Sequence, residues 1–282
     1  MRNSVTRFAF TALVSFACAL PGVAGPNNNN DNGTDQGCQN LPNFLALKAA
    51  LVQAVATETS GLNNHMWGTI VDRSGVVCAV AYSGSTVGSQ WLGSRVISAQ
   101  KANTANDFSL DASAASAGSG GALALSTANL YSAVQPGGSL FGLQESNPVD
   151  PSVAYAAQAT YYGSQGDPMV GNRIGGVNVF GGGLALYGPG HVLVGAVGVS
   201  GDTSCSDHFI AWRVRNLLGL DHLGTAIPGP ASIFNKDATH PDNIIFDITA
   251  NPAGGTGNST TGFGHPMCLN TGNPSNLPPV SN

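Results

Sequence analysis

Residues 190–220 read GHVLVGAVGVSGDTSCSDHFIAWRVRNLLGL, and this stretch decides the fold. His191–Val199 is almost continuously apolar, and Val192, Val194, Val197 and Val199 supply the β-branched side chains of a buried strand. Gly195 and Gly198 interrupt it. Glycines at such spacing in a strand mark a place where another backbone comes close. Ser200-Gly201 ends the strand. Ser204-Cys205-Ser206-Asp207 fits a capping box, with Ser204 as the cap and Asp207 reaching back to the free amides. Phe209, Ile210, Trp212, Val214, Leu217 and Leu218 give the following helix a broad apolar side, and Gly219 stops it.

Working outward, Leu45–Thr59 reads as a helix, because Leu45, Leu47, Ala50, Leu51, Ala54 and Val55 repeat near the helical period. Met66–Val71 and Val76–Ala81 read as a hairpin turned by Asp72-Arg73-Ser74-Gly75. Trp91–Phe108 reads as a second helix whose alanines allow close packing on a sheet. Ala112–Leu125 reads as loop or weak helix. Residues 126–176 are broken by Pro136-Gly137-Gly138, Asn147-Pro148, Asp150-Pro151 and Asp167-Pro168. They read as an insertion packed over the core, or across a subunit interface, through Tyr131, Phe141, Tyr155, Tyr161 and Tyr162; a lid is the rival reading. Val177–Phe180 and Leu184–Tyr187 flank Gly181-Gly182-Gly183, as one bulged strand or two short ones. Residues 224–282 are rich in Pro, Gly and Asn, with one strand-like piece at Asn243–Ile248, and read as an extension wrapping the domain. Hairpins with segregated helices make an α+β domain, here spanning residues 41–223.

Arg2 and Arg7, the apolar run Phe8–Leu20, and the small residues Gly22 and Ala24 describe a secretory signal peptide over residues 1–24. Residues 25–40 then read as a loose, disordered leader. The expected location is periplasmic or secreted. No later apolar run reaches the length of a membrane span. The net charge of −5, with no basic cluster, argues against nucleic acid and anionic membranes as partners. Beyond the signal, Cys38, Cys78, Cys205 and Cys268 remain, and an even count in an oxidising compartment implies two disulfides. Three pairings are open. Cys38 and Cys268 lie in the two tails, so each can pin a tail to the core. A metal or redox role is the weaker reading, since there is no Cys-x-x-Cys and no repeated Cys/His spacing.

The run GGGLALY…GHVLVGAVGVSGDTSCSDHFIA resembles the C-terminal half of the GlcG/HbpS haem-binding, or haem-degrading, family. SRVISAQKANTANDF, Ser94–Phe108, is similar to that family's S-x-x-x-A-x-x-KA-x-TA-x-x-F helix. Leu45–Thr59 followed by TIVDRSGVVCAV resembles its opening helix and hairpin. The resemblance implies a single antiparallel sheet with helices packed on it, often in a homo-oligomer. It also implies a ligand cleft bordered by the second helix, the glycine strand and the start of the final helix. Where relatives often carry Pro-Thr after the helix, this chain has Asp111-Ala112-Ser113, so a hydroxyl there would come from Ser113.

Lys101 and Thr104, three apart, share a helix face and match the family pattern, and Arg95 lies on a neighbouring part of that surface. Such cations can pair with haem propionates or another anion, although solvation is the usual fate of a surface lysine. Asp207 and His208 begin the final helix. Among His65, His191, His208, His222, His240 and His265, His65 and His208 are the candidate haem or metal ligands, with a loop or satisfied core role as the bland alternative. Gly198-Val199-Ser200-Gly201-Asp202 is not a nucleophile elbow, which requires glycine at its last position. Gly181-Gly182-Gly183 lacks the Lys-Ser/Thr of a phosphate loop. The expected function is binding of haem or a related tetrapyrrole, in binding, sensing or protection. The alternatives are an enzyme acting on haem or a small organic acid, and a ligand-free oligomeric interaction module.

Overall fold

The protein is seen in a computed structural model that describes residues 37–116, 121–255 and 257–282. The expected signal peptide and most of the leader lie outside the described residues. Gly37–Asn40, read as the leader's end, forms a 3-10 turn. The reason is covalent: Cys38 is bonded to Cys78 on a strand of the sheet.

Helix α1 (Phe44–Thr57) is capped by Asn43, whose side chain accepts from the Ala46 amide. Strands β1 (Trp67–Asp72) and β2 (Val77–Tyr82) make the hairpin. At its turn, one Asp72 carboxylate oxygen accepts from the Ser74 and Val76 amides. Helix α2 (Ser94–Asp107) follows, then the long insertion, then β3 (Gly183–Gly188), β4 (Val192–Ser200) and helix α3 (Ser204–Leu217). The four strands form one antiparallel sheet in the order β2-β1-β4-β3.

Alternation along the strands divides the core in two. On one face Ile70, Ala79, Ala81, Val197 and Val199 pack with Leu47 and Leu51 of α1 and Phe209, Ile210 and Trp212 of α3. On the other face Val71, Val77, Val80 and Ala196 pack with Val96, Ala99, Ala102 and Ala105 of α2. The second interface is unusually close, and the glycines of β3 and β4 are the cause. Thr69, Gly198 and Gly183 stand side by side across three strands. A Cβ on Gly198 would lie 2.6 Å from the Ala102 amide and nearer still to the Ser98 carbonyl. One on Gly183 would meet Thr127 at 2.5 Å and also crowd the Lys101 carbonyl. Thr69 completes the row with a 2.7 Å hydroxyl–hydroxyl bond to Ser98. The helix backbone therefore rests on the strand backbone.

Three local expectations change. The cap of α3 is Thr203, whose backbone is extended and whose side chain accepts from the Ser206 amide; Ser204 is already helical. Asp207 does reach back, to the amides of Gly201 and Asp202 at 3.0 and 2.8 Å. Val177–Phe180 is not a strand, because its backbone turns to side-chain partners, the Asn178 amide donating to the Thr104 hydroxyl and the Phe180 carbonyl accepting from Thr127. The insertion packs through small and aliphatic residues, including Ala128, Leu130, Val134, Ala154, Met169 and Ile174. Of its aromatics, Tyr162 packs inward while Phe141, Tyr155 and Tyr161 are exposed.

The extension after α3 packs along the domain. It also enters the core, with Leu223 and Ile227 against Tyr187, and Ile244 and Leu277 in the larger cluster. Its strand-like piece is shorter than Asn243–Ile248: Ile248–Thr249 pairs with Asn258–Ser259 in a two-residue ribbon. Cys205–Cys268 staples it to α3, so of the three pairings the structure has Cys38–Cys78 with Cys205–Cys268. No helix among the described residues is long and apolar enough to cross a membrane.

Candidate functional site

Lys101 leaves α2 where that helix rests on Gly183 and runs past Gly182, whose backbone has positive φ and whose missing Cβ would fall 3.1 Å from the Lys101 ammonium. The ammonium ends 2.6 Å from Asp207 Oδ2, 3.1 Å from the Val199 carbonyl and 4.0 Å from the centre of the Phe180 ring. Both side chains of the pair are fully buried. It thus ties a helix on one face of the sheet to a helix on the other. Burial pushes the Asp207 carboxyl up to about 6, against the opposing pull of Lys101 and of backbone amides. Burial also pulls the Lys101 ammonium below its ordinary value, while Asp207 opposes that shift.

Arg95 is one and a half turns earlier on α2 and serves a separate buried pair. Its guanidinium grips Asp167 with two hydrogen bonds, at 2.8 and 2.5 Å, and donates to the Ala154 carbonyl at 2.7 Å. The Tyr162 ring lies over it at 3.7 Å. Thr104 fixes the segment before the glycine triplet, accepting from the Asn178 amide at 2.9 Å and donating to Gln100 at 2.8 Å. The structure therefore joins Lys101 with Asp207, sets Arg95 against the insertion, and sets Thr104 against the segment before the glycine triplet.

His208 is fully buried beside Gly181, where a glycine Cβ would meet its own Cβ at 2.9 Å. Its other surroundings come from α3 and the extension: Trp212, Asp242, Asn243 and His265. Neither ring nitrogen reaches a hydrogen-bond partner of ordinary geometry. Desolvation dominates its titration and pushes the imidazole down to about 3, so it is neutral near pH 7. His65 is different: it lies exposed at the surface with Nδ1 3.2 Å from the Ser83 hydroxyl.

Several partners were invisible in the sequence. Asp167 is 72 positions from Arg95. Asp242 holds Arg215 of α3 in a buried bidentate pair at 2.6 and 2.9 Å. His265 sits 2.6 Å from the Ser204 hydroxyl, with Nδ1 2.7 Å from the Pro266 carbonyl. A carbonyl only accepts, so Nδ1 carries the proton and Nε2 accepts from Ser204. Ser204 Oγ in turn accepts from the Gly181 amide at 2.6 Å. Asp167 and Asp242 do stand beside prolines, the only local signal for a fixed backbone there.

A four-stranded antiparallel sheet with one helix resting on a glycine row and two helices behind it, cross-tied by a buried lysine–carboxylate pair, defines an α+β domain with a polar interior. The family model for haem-degrading HbpS-like proteins matches residues 45–214, and the chain belongs to that family. Among solved structures, Klebsiella pneumoniae protein ORFY is 26% identical, with 63% of this chain and 90% of that one covered and a TM-score of 0.39. The protein in the PduOC:heme complex is 23% identical, with 62% and 90% covered and a TM-score of 0.38. A double mutant of Streptomyces reticuli HbpS is 15% identical, with 71% and 98% covered and a TM-score of 0.33. A comparison with curated proteins returns no match.

Proposed function

We propose that this protein is an exported haem- or tetrapyrrole-binding protein, acting in binding, sensing or protection as a homo-oligomer. Membership of the HbpS-like family supports the ligand class. Two disulfides suit an oxidising compartment and support export. The observation that carries the reading is His208, a buried, neutral imidazole whose nitrogens make no hydrogen bond of ordinary geometry, with Asn243 as a looser side-chain partner.

Haem asks for an axial ligand with a free lone pair and often for cations near its propionates. His208 fits the first demand. Arg95 and Lys101 do not meet the second, since buried carboxylates already match both. In this reading His208 is the iron ligand. Arg95, Lys101, Thr104 and Asp207 hold α2, the glycine triplet and the start of α3 in place around it. Bound haem would supply a redox-active iron; the chain supplies the imidazole and excludes water from it. The ring lies beneath the extension, so binding requires that cover to move.

Titration of the purified protein with haemin tests this. The expected result is a shifted, sharpened Soret band, and an apparent affinity at least about tenfold weaker in His208→Ala. Circular dichroism checks that the variant is folded. No Soret shift, or equal binding by a folded His208→Ala, overturns the reading.

A further inference from the structure

We infer that the Cys205–Cys268 disulfide is a redox latch that keeps His208 covered, so that its reduction opens the proposed haem site. The inference rests on the haem reading for its ligand but on separate observations for its mechanism. Cys205 and His208 are three apart on α3 and share a face. The disulfide therefore bonds the extension to the helix one turn from the buried ring. His265 and Asn243, two of the groups around His208, belong to that same extension.

Immediately around Cys268 the disulfide is the strongest of few ties. Met267 and Leu269, on either side of the cysteine, are 73% and 69% exposed, so they contribute no packing. Thr271 bonds only within the segment, to the Cys268 amide and carbonyl. Its other tethers are the exposed bonds of the Asn270 side chain to the carbonyls of Thr59 and Gly61 and of the Gly61 amide to the Asn270 carbonyl, the close seat of Gly272 on Ser60 and Phe209, and, upstream, the His265 amide to the Ile245 carbonyl. On the near side, the Ser204–His265 bond and the donation of the Cys205 amide to Cys268 Sγ close the cover while the sulfur is in place. A covalent bond thus reinforces a contact whose other ties are a few hydrogen bonds and the seat of Gly272. The other disulfide, Cys38–Cys78, pins the opposite tail to β2 and serves as a control.

Reduction needs a dithiol. One of its thiolates attacks a sulfur of the bridge, the second closes the reductant's own disulfide, and two cysteine thiols result with two electrons and two protons taken up. If only a small fraction of the oxidised protein is uncovered, its apparent haem affinity is reduced by that fraction.

Two readouts on the full chain test the latch separately from the ligand. The first is acylation of His208 by diethyl pyrocarbonate, followed by peptide mass spectrometry. The second is the association rate and apparent affinity for haemin. Both are compared in oxidised wild type, in protein treated with a dithiol, and in Cys205→Ser/Cys268→Ser, with Cys38→Ser/Cys78→Ser as control and folding checked by circular dichroism. Labelling of His208 and haemin association are expected to rise at least about tenfold in the reduced and Cys205→Ser/Cys268→Ser forms and to stay unchanged in the control. Equal His208 labelling in folded oxidised and Cys205→Ser/Cys268→Ser protein overturns the latch. Increased labelling without any Soret shift supports the latch and overturns the haem reading instead.

Discussion

Replacing Gly198 with alanine is the sharpest test of how α2 is seated. The new Cβ would stand 2.6 Å from the Ala102 amide nitrogen, and closer still to the Ser98 carbonyl, where ordinary contact begins at 3.4 Å. Both neighbours are helix backbone, which cannot swing aside as a side chain can. The helix must therefore rise by close to an ångström at Ala102 and more at Ser98. That lift breaks the 2.7 Å bond between Thr69 and Ser98 and stretches the 2.6 Å contact between Lys101 and Asp207. Overpacking alone costs roughly 1–3 kcal/mol. Loosening a buried ion pair adds to it, so the expected total is at least about 3 kcal/mol. For a domain of this size the melting temperature should fall by about 6–12 °C. Thermal unfolding followed by circular dichroism measures this. Gly88→Ala is the control, because its Cβ would meet nothing within 4 Å and its φ is not positive. That variant should stay within about 1 kcal/mol of wild type. A Gly198→Ala protein that loses less than about 1 kcal/mol would refute the seating of helix backbone on strand backbone.

Lys101→Met and Asp207→Asn should each destabilise by about 3–5 kcal/mol in urea unfolding, because each strands a buried partner, and the double variant should cost less than the sum; additive losses would show that the two side chains act independently. Acid should also weaken the fold. Burial holds His208 near about 3 and His265 near about 4, below the 6.5 of the unfolded chain. Their contribution is full above about pH 6.5 and is lost as pH falls toward those values. Asp207, raised to about 6 from 3.8, contributes in the opposite sense, fully below about pH 4 and lost as pH rises through 6. Each buried histidine contributes a loss of up to about 1.4 kcal/mol per pH unit across this interval, and the raised carboxyls of Asp207 and Asp107 oppose it. In His208→Gln the acid-induced loss of stability should be smaller than in wild type in denaturant melts across this range, and an unchanged slope would count against the buried neutral imidazole.

The fold was largely legible because its signals are local. Periodicity marked α1 and α2, and the Asp72–Gly75 turn marked the hairpin. The strand–glycine–helix stretch at 190–220 told of a close backbone approach that Gly198 does make. The cap slipped by one residue because Thr203 and Ser204 are both good capping types and only backbone dihedrals distinguish them. The strand before Gly181 failed because Asn178 and Phe180 found side-chain partners that lie far off in sequence.

The site was legible only in part. Lys101 and Asp207 could be named as candidates from a pattern, and the Lys101 cation suited an anionic ligand. That they satisfy each other in the dark interior is a statement about two residues 106 positions apart. Arg95 with Asp167, Arg215 with Asp242, and Ser204 with His265 are of the same kind. Local sequence thus determined the helices and the hairpin, since each follows from side-chain shape and backbone freedom within a few residues, while the glycine row depends on strand register. Only tertiary structure decided which cations are already neutralised, which cysteines meet, and that His208 is buried as a neutral imidazole, because charge pairing and desolvation depend on neighbours that chain folding alone brings together.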